Sequence, residues 1–138
     1  GEKELRDIGS VTDFNGYDVV FLGFPVQSGK PSKKAIDLLE SNIPEAKLAL
    51  FCTQGALKDS NFALDALANA KKLCGTANVL GTFNCQGEVA AKILEAVSQK
   101  PELQSWLKDA RESGGHPDPS DLEQASHFAK DIVRKATN

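Results

Sequence analysis

Two kinds of apolar pattern alternate along the chain. Val19-Val20-Phe21-Leu22-Gly23-Phe24, Leu48-Ala49-Leu50-Phe51-Cys52 and Val79-Leu80-Gly81-Thr82-Phe83-Asn84-Cys85 are short, nearly continuous apolar runs. They end at Pro25, at Thr53-Gln54-Gly55 and at Gln86-Gly87. Runs of this length without strict alternation suit strands covered on both faces, as in a parallel sheet. Between and after them the apolar residues recur at helical spacing. Residues 32–42 carry Ala35, Ile36 and Leu39 on one stripe, and residues 60–74 carry Ala63, Leu67, Ala70 and Leu73 behind an N-cap at Asp59 or Ser60. Residues 88–98 stack Val89, Ile93 and Val97, and residues 102–111 align Leu103, Trp106, Leu107 and Ala110. A last helix over 120–135 presents Leu122, Ala125, Phe128, Ala129, Ile132 and Val133, with Ser120 and Glu123 spaced as a capping box.

Strand, helix, strand, helix, strand, helices is the order of an α/β fold with right-handed crossovers and a parallel sheet. One domain over residues 1–138 is expected, with residues 88–118 a helical insertion and linker before the last helix. The turn-rich stretch Ser113-Gly114-Gly115-His116-Pro117-Asp118-Pro119 joins two helices, and His116 is expected to serve that turn. Near the start, Leu5 and Ile8 suggest a short edge strand.

Composition narrows the function classes. The chain has 138 residues, 41% of them apolar and 25% charged, which is globular composition and room for one core. A net charge of −3 with both signs mixed argues against a nucleic-acid groove or a basic membrane patch. No apolar run approaches the roughly 20 residues that span a bilayer. Cys52, Cys74 and Cys85 lack metal-ligand spacing and fit reduced thiols buried as small hydrophobes in a cytoplasmic protein. The absence of any Met points to a removed initiator, a tag scar or a cut from a longer polypeptide.

In open α/β sheets ligands bind beyond the carboxyl ends of the strands. Three such loops are rich in small and polar residues: Pro25-Val26-Gln27-Ser28-Gly29-Lys30, Thr53-Gln54-Gly55-Ala56 and Asn84-Cys85-Gln86-Gly87. Glycines there let backbone N–H groups approach a flat or anionic ligand. Sharper motifs fail. Gly23 and Gly29-Lys30 have five intervening residues where a phosphate loop has four, and Pro31 stands where Ser or Thr would hold magnesium. No nucleophile elbow occurs, and the two histidines, His116 and His127, lie far in sequence from the strand ends, so no catalytic or metal residue is assigned. Lys30, Lys33 and Lys34 crowd a helix start, where they are solvated or meet a phosphate or an acidic partner.

The run Asn15-Gly16-Tyr17-Asp18 through Val19–Phe24 to Pro25-Val26-Gln27-Ser28-Gly29-Lys30-Pro31 is similar to the third strand and following loop of the flavodoxin family. The similarity continues through Leu48–Gly55 and Gly81–Gly87 and ends at Gly115-His116-Pro117-Asp118, leading into Asp121-Leu122, so it covers almost the whole chain. It implies a flavodoxin-like three-layer sandwich that binds FMN over the strand ends and transfers electrons, with the three loops above as the cradle and no acid–base residue required. Two departures from the family pattern stand out. Gln27 occupies the position where a family aromatic stacks on the flavin. The family's first, central strand and its phosphate-binding loop also have no counterpart: either they belong to the native polypeptide and were trimmed, or this is a shortened relative whose sheet is completed by another subunit or a swapped segment. A redox partner protein is implied. The alternatives are a cofactor-free binding or assembly module and an FMN-dependent NAD(P)H reductase.

Overall fold

The computed structural model describes residues 2–41, 47–75 and 77–137. Three long strands lie side by side and parallel: β1 (Val20–Gln27), β3 (Lys47–Gln54) and β4 (Asn78–Gln86). A two-residue β2 (Lys30–Pro31) turns back antiparallel on the end of β1, giving the order β2-β1-β3-β4. The α/β class and the mainly parallel sheet expected from the apolar runs are therefore present. Pro25, Thr53 and Cys85 stand in register across the three parallel strands, so their carboxyl ends finish together.

The two faces of the sheet are filled differently. Leu22, Phe24, Leu48, Leu50 and Cys52 project to one face and pack with Ala35, Leu38 and Leu39 of α1 (Lys33–Glu40) and Leu67 and Ala70 of α2 (Asn61–Leu73). The other face carries Phe21 and Phe83, both against Phe128 of α5 (Pro119–Thr137), at ring-centroid distances of 6.3 and 5.5 Å. Gly81 belongs to this face, where a Cβ would lie 2.8 Å from Ile132. Between β4 and α5 come α3 (Ala91–Val97), a 3-10 turn at Pro101–Leu103 and α4 (Gln104–Ala110).

Several local expectations are corrected. Pro25–Pro31 is a β-hairpin, not an open loop: Ser28 and Gly29 take φ of 51° and 75°, the left-handed pair that a two-residue hairpin turn demands. Helix α3 starts at Ala91, because the N–H groups of Glu88 and Val89 are bound outside the helix, by His116 O and Ser113 Oγ. Asp118, with Pro119 at the first helical position, caps α5 in place of Ser120: Asp121 N–H donates to Asp118 Oδ1, and Asp118 N–H donates to Asp121 Oδ2. Leu5 and Ile8 form no edge strand; Leu5 is 99% exposed, and Ile8–Ser10 is a 3-10 turn capped by Asp7. The α1 boundary expected at Asn42 lies outside the described residues.

Among the described residues one strand keeps a free side. Val20–Pro25 pairs with β3 along one edge, while β2 reaches only Val26 and Gln27 on the other. Beside that edge the aromatic face is incompletely covered: the Phe51 ring lies over Gly23, where any Cβ would overlap it, and remains 39% exposed.

Leu50→Ala, at the centre of the filled face, is expected to cost about 3 kcal/mol, read as a lowered denaturant midpoint at unchanged slope. Leu5→Ala should stay within about 0.5 kcal/mol.

Candidate functional site at the strand ends

The carboxyl ends of β1, β3 and β4 bring all three sequence-predicted segments to one rim of the sheet. The first is the hairpin tip, with Gln27, Ser28, Gly29 and Lys30 exposed; Pro25 and Val26 are strand residues behind it. β2 packs against α2, the helix that follows the second segment, so hairpin and second segment are neighbours. That second segment runs from Thr53 past Ala56, which is fully buried, to Asp59.

Polar side chains expected to meet a ligand instead hold the turns together. Gln54, Asn84 and Gln86 are only 4%, 2% and 4% exposed. A carboxamide this deep must be hydrogen-bonded, and each is. Asn84 Oδ1 accepts from Gln54 Nε2 at 3.1 Å and from the Asp59 N–H at 2.8 Å, while Asn84 Nδ2 donates to Asp59 Oδ1 at 2.9 Å. Gln86 Nε2 donates to Gly55 O and to Asp109 O, both at 2.9 Å. The Asn84 hydrogen bonds hold Asp59 in a left-handed conformation with φ 59° and, together with Lys58, keep its carboxyl below the ordinary range.

The third segment is equally committed. Gly87 N–H donates to Gln54 O, Glu88 N–H to His116 O, and Val89 N–H to Ser113 Oγ, so these donors face the protein. Two glycines serve packing. A Cβ on Gly55 would sit 2.6 Å from Val89 Cγ2 and 2.8 Å from Trp106 Cζ2, and one on Gly87 would sit 3.1 Å from Thr53 Cβ. Cys85 and Cys52 are buried thiols. Burial raises Cys85 above its usual value and, with Cys85 nearby, takes Cys52 to about 12, so neither is a thiolate at neutral pH.

What remains open toward solvent is the hairpin tip and the outer side of the 55–59 turn. Leu57 is exposed there, and Lys58 pairs with Asp59 at 3.1 Å while lying 5.3 Å from the centre of the Phe83 ring. Leu57 closes the second strand-end loop in the sequence and Asp59 is legible there only as a helix-cap candidate, while nothing in the pattern singles out Lys58. Apolar surface beside turn backbone fits the plane and edge of a ring system. Among the described residues the N–H groups of Ala56, Leu57 and Lys58 in this turn make no hydrogen bond within the protein, and those of the exposed Leu57 and Lys58 are open to water or to a ligand.

His116 sits behind the third segment. Its Nδ1 lies 2.6 Å from Asp121 Oδ2 and 3.8 Å from Asp118 Oδ2. The Asp121 hydrogen bond raises its pKa above the ordinary 6.5, against the opposing effect of desolvation. Burial pushes Asp121 up, but the Asp118 N–H and His116 outweigh it and hold the carboxyl low. These groups already satisfy one another as a helix cap. Separately, a cleft of about 450 Å³ opens between Glu88–Leu94 and Ala110–Gly114, lined by Arg111 and Ser113 among others.

The His116 contact is fully stabilising below the unfolded-state value and is lost as pH rises through the higher folded value; the Asp121 share is lost as pH falls through its lowered one. Wild type should therefore lose melting temperature from about pH 6 to about pH 9 more steeply than His116→Gln does. Gly55→Ala should cost about 1–3 kcal/mol through overlap with Val89 and Trp106, and should change Trp106 fluorescence.

The flavodoxin domain, as a family, matches residues 1–130. A flavodoxin-like domain-containing protein, BilS, of Clostridioides difficile (strain CD3) is 33% identical over 148 aligned residues, covering 99% of this chain and 84% of the relative. Among solved structures, a flavoprotein in complex with FMN from Lactobacillus acidophilus NCFM is similar at 24% identity and a TM-score of 0.44, over 52% of this chain and 46% of that one. The match to the family across nearly the whole sequence, on a mainly parallel sheet with its turns gathered at one rim, places this chain in the flavodoxin family.

Proposed function

We propose that this chain is a flavodoxin-like domain that binds FMN at the strand-end rim and transfers electrons. The observation that carries the reading is the convergence of the hairpin tip (Gln27–Lys30) and the 55–59 turn at the carboxyl ends of parallel strands, in a chain of the flavodoxin family. Bound there, FMN would supply the redox chemistry. The chain's own residues bind and orient. The open hairpin turn and the turn at Leu57–Asp59 flank the ring, and Leu57 gives it apolar contact. Trp106 and Val89 close the space over Gly55 and keep water from that side. Gln27 replaces a stacking aromatic, which weakens ring binding by about 1 kcal/mol. The buried carboxamides are spent on holding the turns, and the Cys52 and Cys85 thiols are neutral.

The edge of β1 that is unpaired among the described residues favours a further strand as partner, from an upstream segment of the native polypeptide, a second copy or a swapped segment. A redox partner protein would dock on the same rim.

Titration of the purified chain with FMN, followed by quenching of flavin fluorescence, tests the reading. Saturable quenching at one equivalent, giving a yellow protein, is expected. A colourless chain that leaves the fluorescence unchanged contradicts it and favours the cofactor-free module. Steady NAD(P)H consumption by the yellow protein alone would point to the reductase alternative.

A further inference from the structure

Asn84 and Gln86 reach from the last strand into a turn that belongs to a different one. Asn84 grips Asp59 twice, at its N–H and at its carboxylate, and Gln86 holds Gly55 O while also reaching Asp109 O of α4. The two carboxamides therefore fasten both ends of the 55–59 turn, from side chains nine-tenths or more buried. Each grip uses a separate part of the turn. The Gly55 hydrogen bond fixes where the chain leaves β3, and the Asp59 pair fixes a residue in the left-handed region, which residues other than glycine adopt in only about a few per cent of cases. Between these anchors Lys58 is aimed across Phe83 and Leu57 outward.

We infer that Asn84 and Gln86 are positioning residues, which hold the 55–59 turn in one ligand-ready geometry without touching the ligand. The inference rests on the FMN reading above and deepens it. A turn fixed in advance loses no conformational freedom on binding, so the affinity of the rim depends on residues that lie behind it. Asn84→Asp keeps the shape but sets a carboxylate against the Asp59 carboxylate, and Gln86→Glu sets one against two carbonyl oxygens. Gln86→Met keeps the volume and removes only the donors, and serves if Gln86→Glu does not fold.

The experiment measures three properties of wild type, Asn84→Asp, Gln86→Glu or Gln86→Met, and Leu39→Ala, a core variant remote from the rim. These are the FMN dissociation constant, the midpoint potential of the bound flavin, and native-state amide exchange at Asp59 and Leu57. Both positioning variants are expected to bind FMN about tenfold or more weakly, with a shifted potential and faster exchange in the turn. Leu39→Ala, equally or more destabilised, should stay within about twofold of wild type in affinity and leave the potential unchanged. Positioning variants that lose only thermal stability, with affinity and potential as in wild type, overturn the inference. If wild type binds no FMN, the functional reading fails by itself. Exchange then decides the positioning role: acceleration confined to residues 55–59 in the carboxamide variants upholds it, and a uniform change like that of Leu39→Ala refutes it.

Discussion

The parallel ladder of β1, β3 and β4 is the constraint on which the other features depend. Because parallel neighbours share a direction and here share a register, Pro25, Thr53 and Cys85 reach the rim together, and every chain reversal after them falls on one side of the sheet. Hydrogen bonding sets this alignment, and burial locks it. Leu48, Leu50 and Cys52 face one helical layer while Phe83 and Gly81 face another, so a slip of one residue would turn each core set to the wrong side. The gathered rim is thus a consequence of packing well below it.

At the rim the chain spends polar groups on itself. The buried carboxamides satisfy backbone carbonyls and N–H groups of the turns, and the glycines make room for Trp106, Val89 and Thr53. The surface left for a ligand is consequently small and shaped by rigid turns. This differs from the picture in which polar loop residues point outward to form the cradle. On the proposed reading, affinity for FMN would come from backbone placement and a little exposed apolar surface, and the redox chemistry from the cofactor.

Much of the fold was legible because continuous apolar runs and helical stripes report burial directly. Val19–Phe24, Leu48–Cys52 and Val79–Cys85 named the three parallel strands, and Ala63–Leu73 named α2 behind its Ser60 cap. Where expectations missed, long-range partners had overruled local pattern. Val89 continues a helical stripe but is captured by Ser113 Oγ, and Leu5 suggests a strand but has no strand to pair with among the described residues. The site was legible as a place and not as a set of contacts. Glycine and amide side chains at strand ends look alike whether they serve a ligand or the next turn, and only the distances from Gln86 to Gly55 and from Asn84 to Asp59 separate the two roles.

The measurement that bears most directly on the rim is a map of backbone amide chemical shifts during titration with FMN. Perturbations concentrated at residues 27–30 and 55–59, with β-strand interiors and the cleft at Glu88–Leu94 unmoved, are the expected result. Perturbations centred elsewhere on the molecule, or none at saturating flavin, would contradict a ligand site built from the turns at the carboxyl ends of the parallel strands.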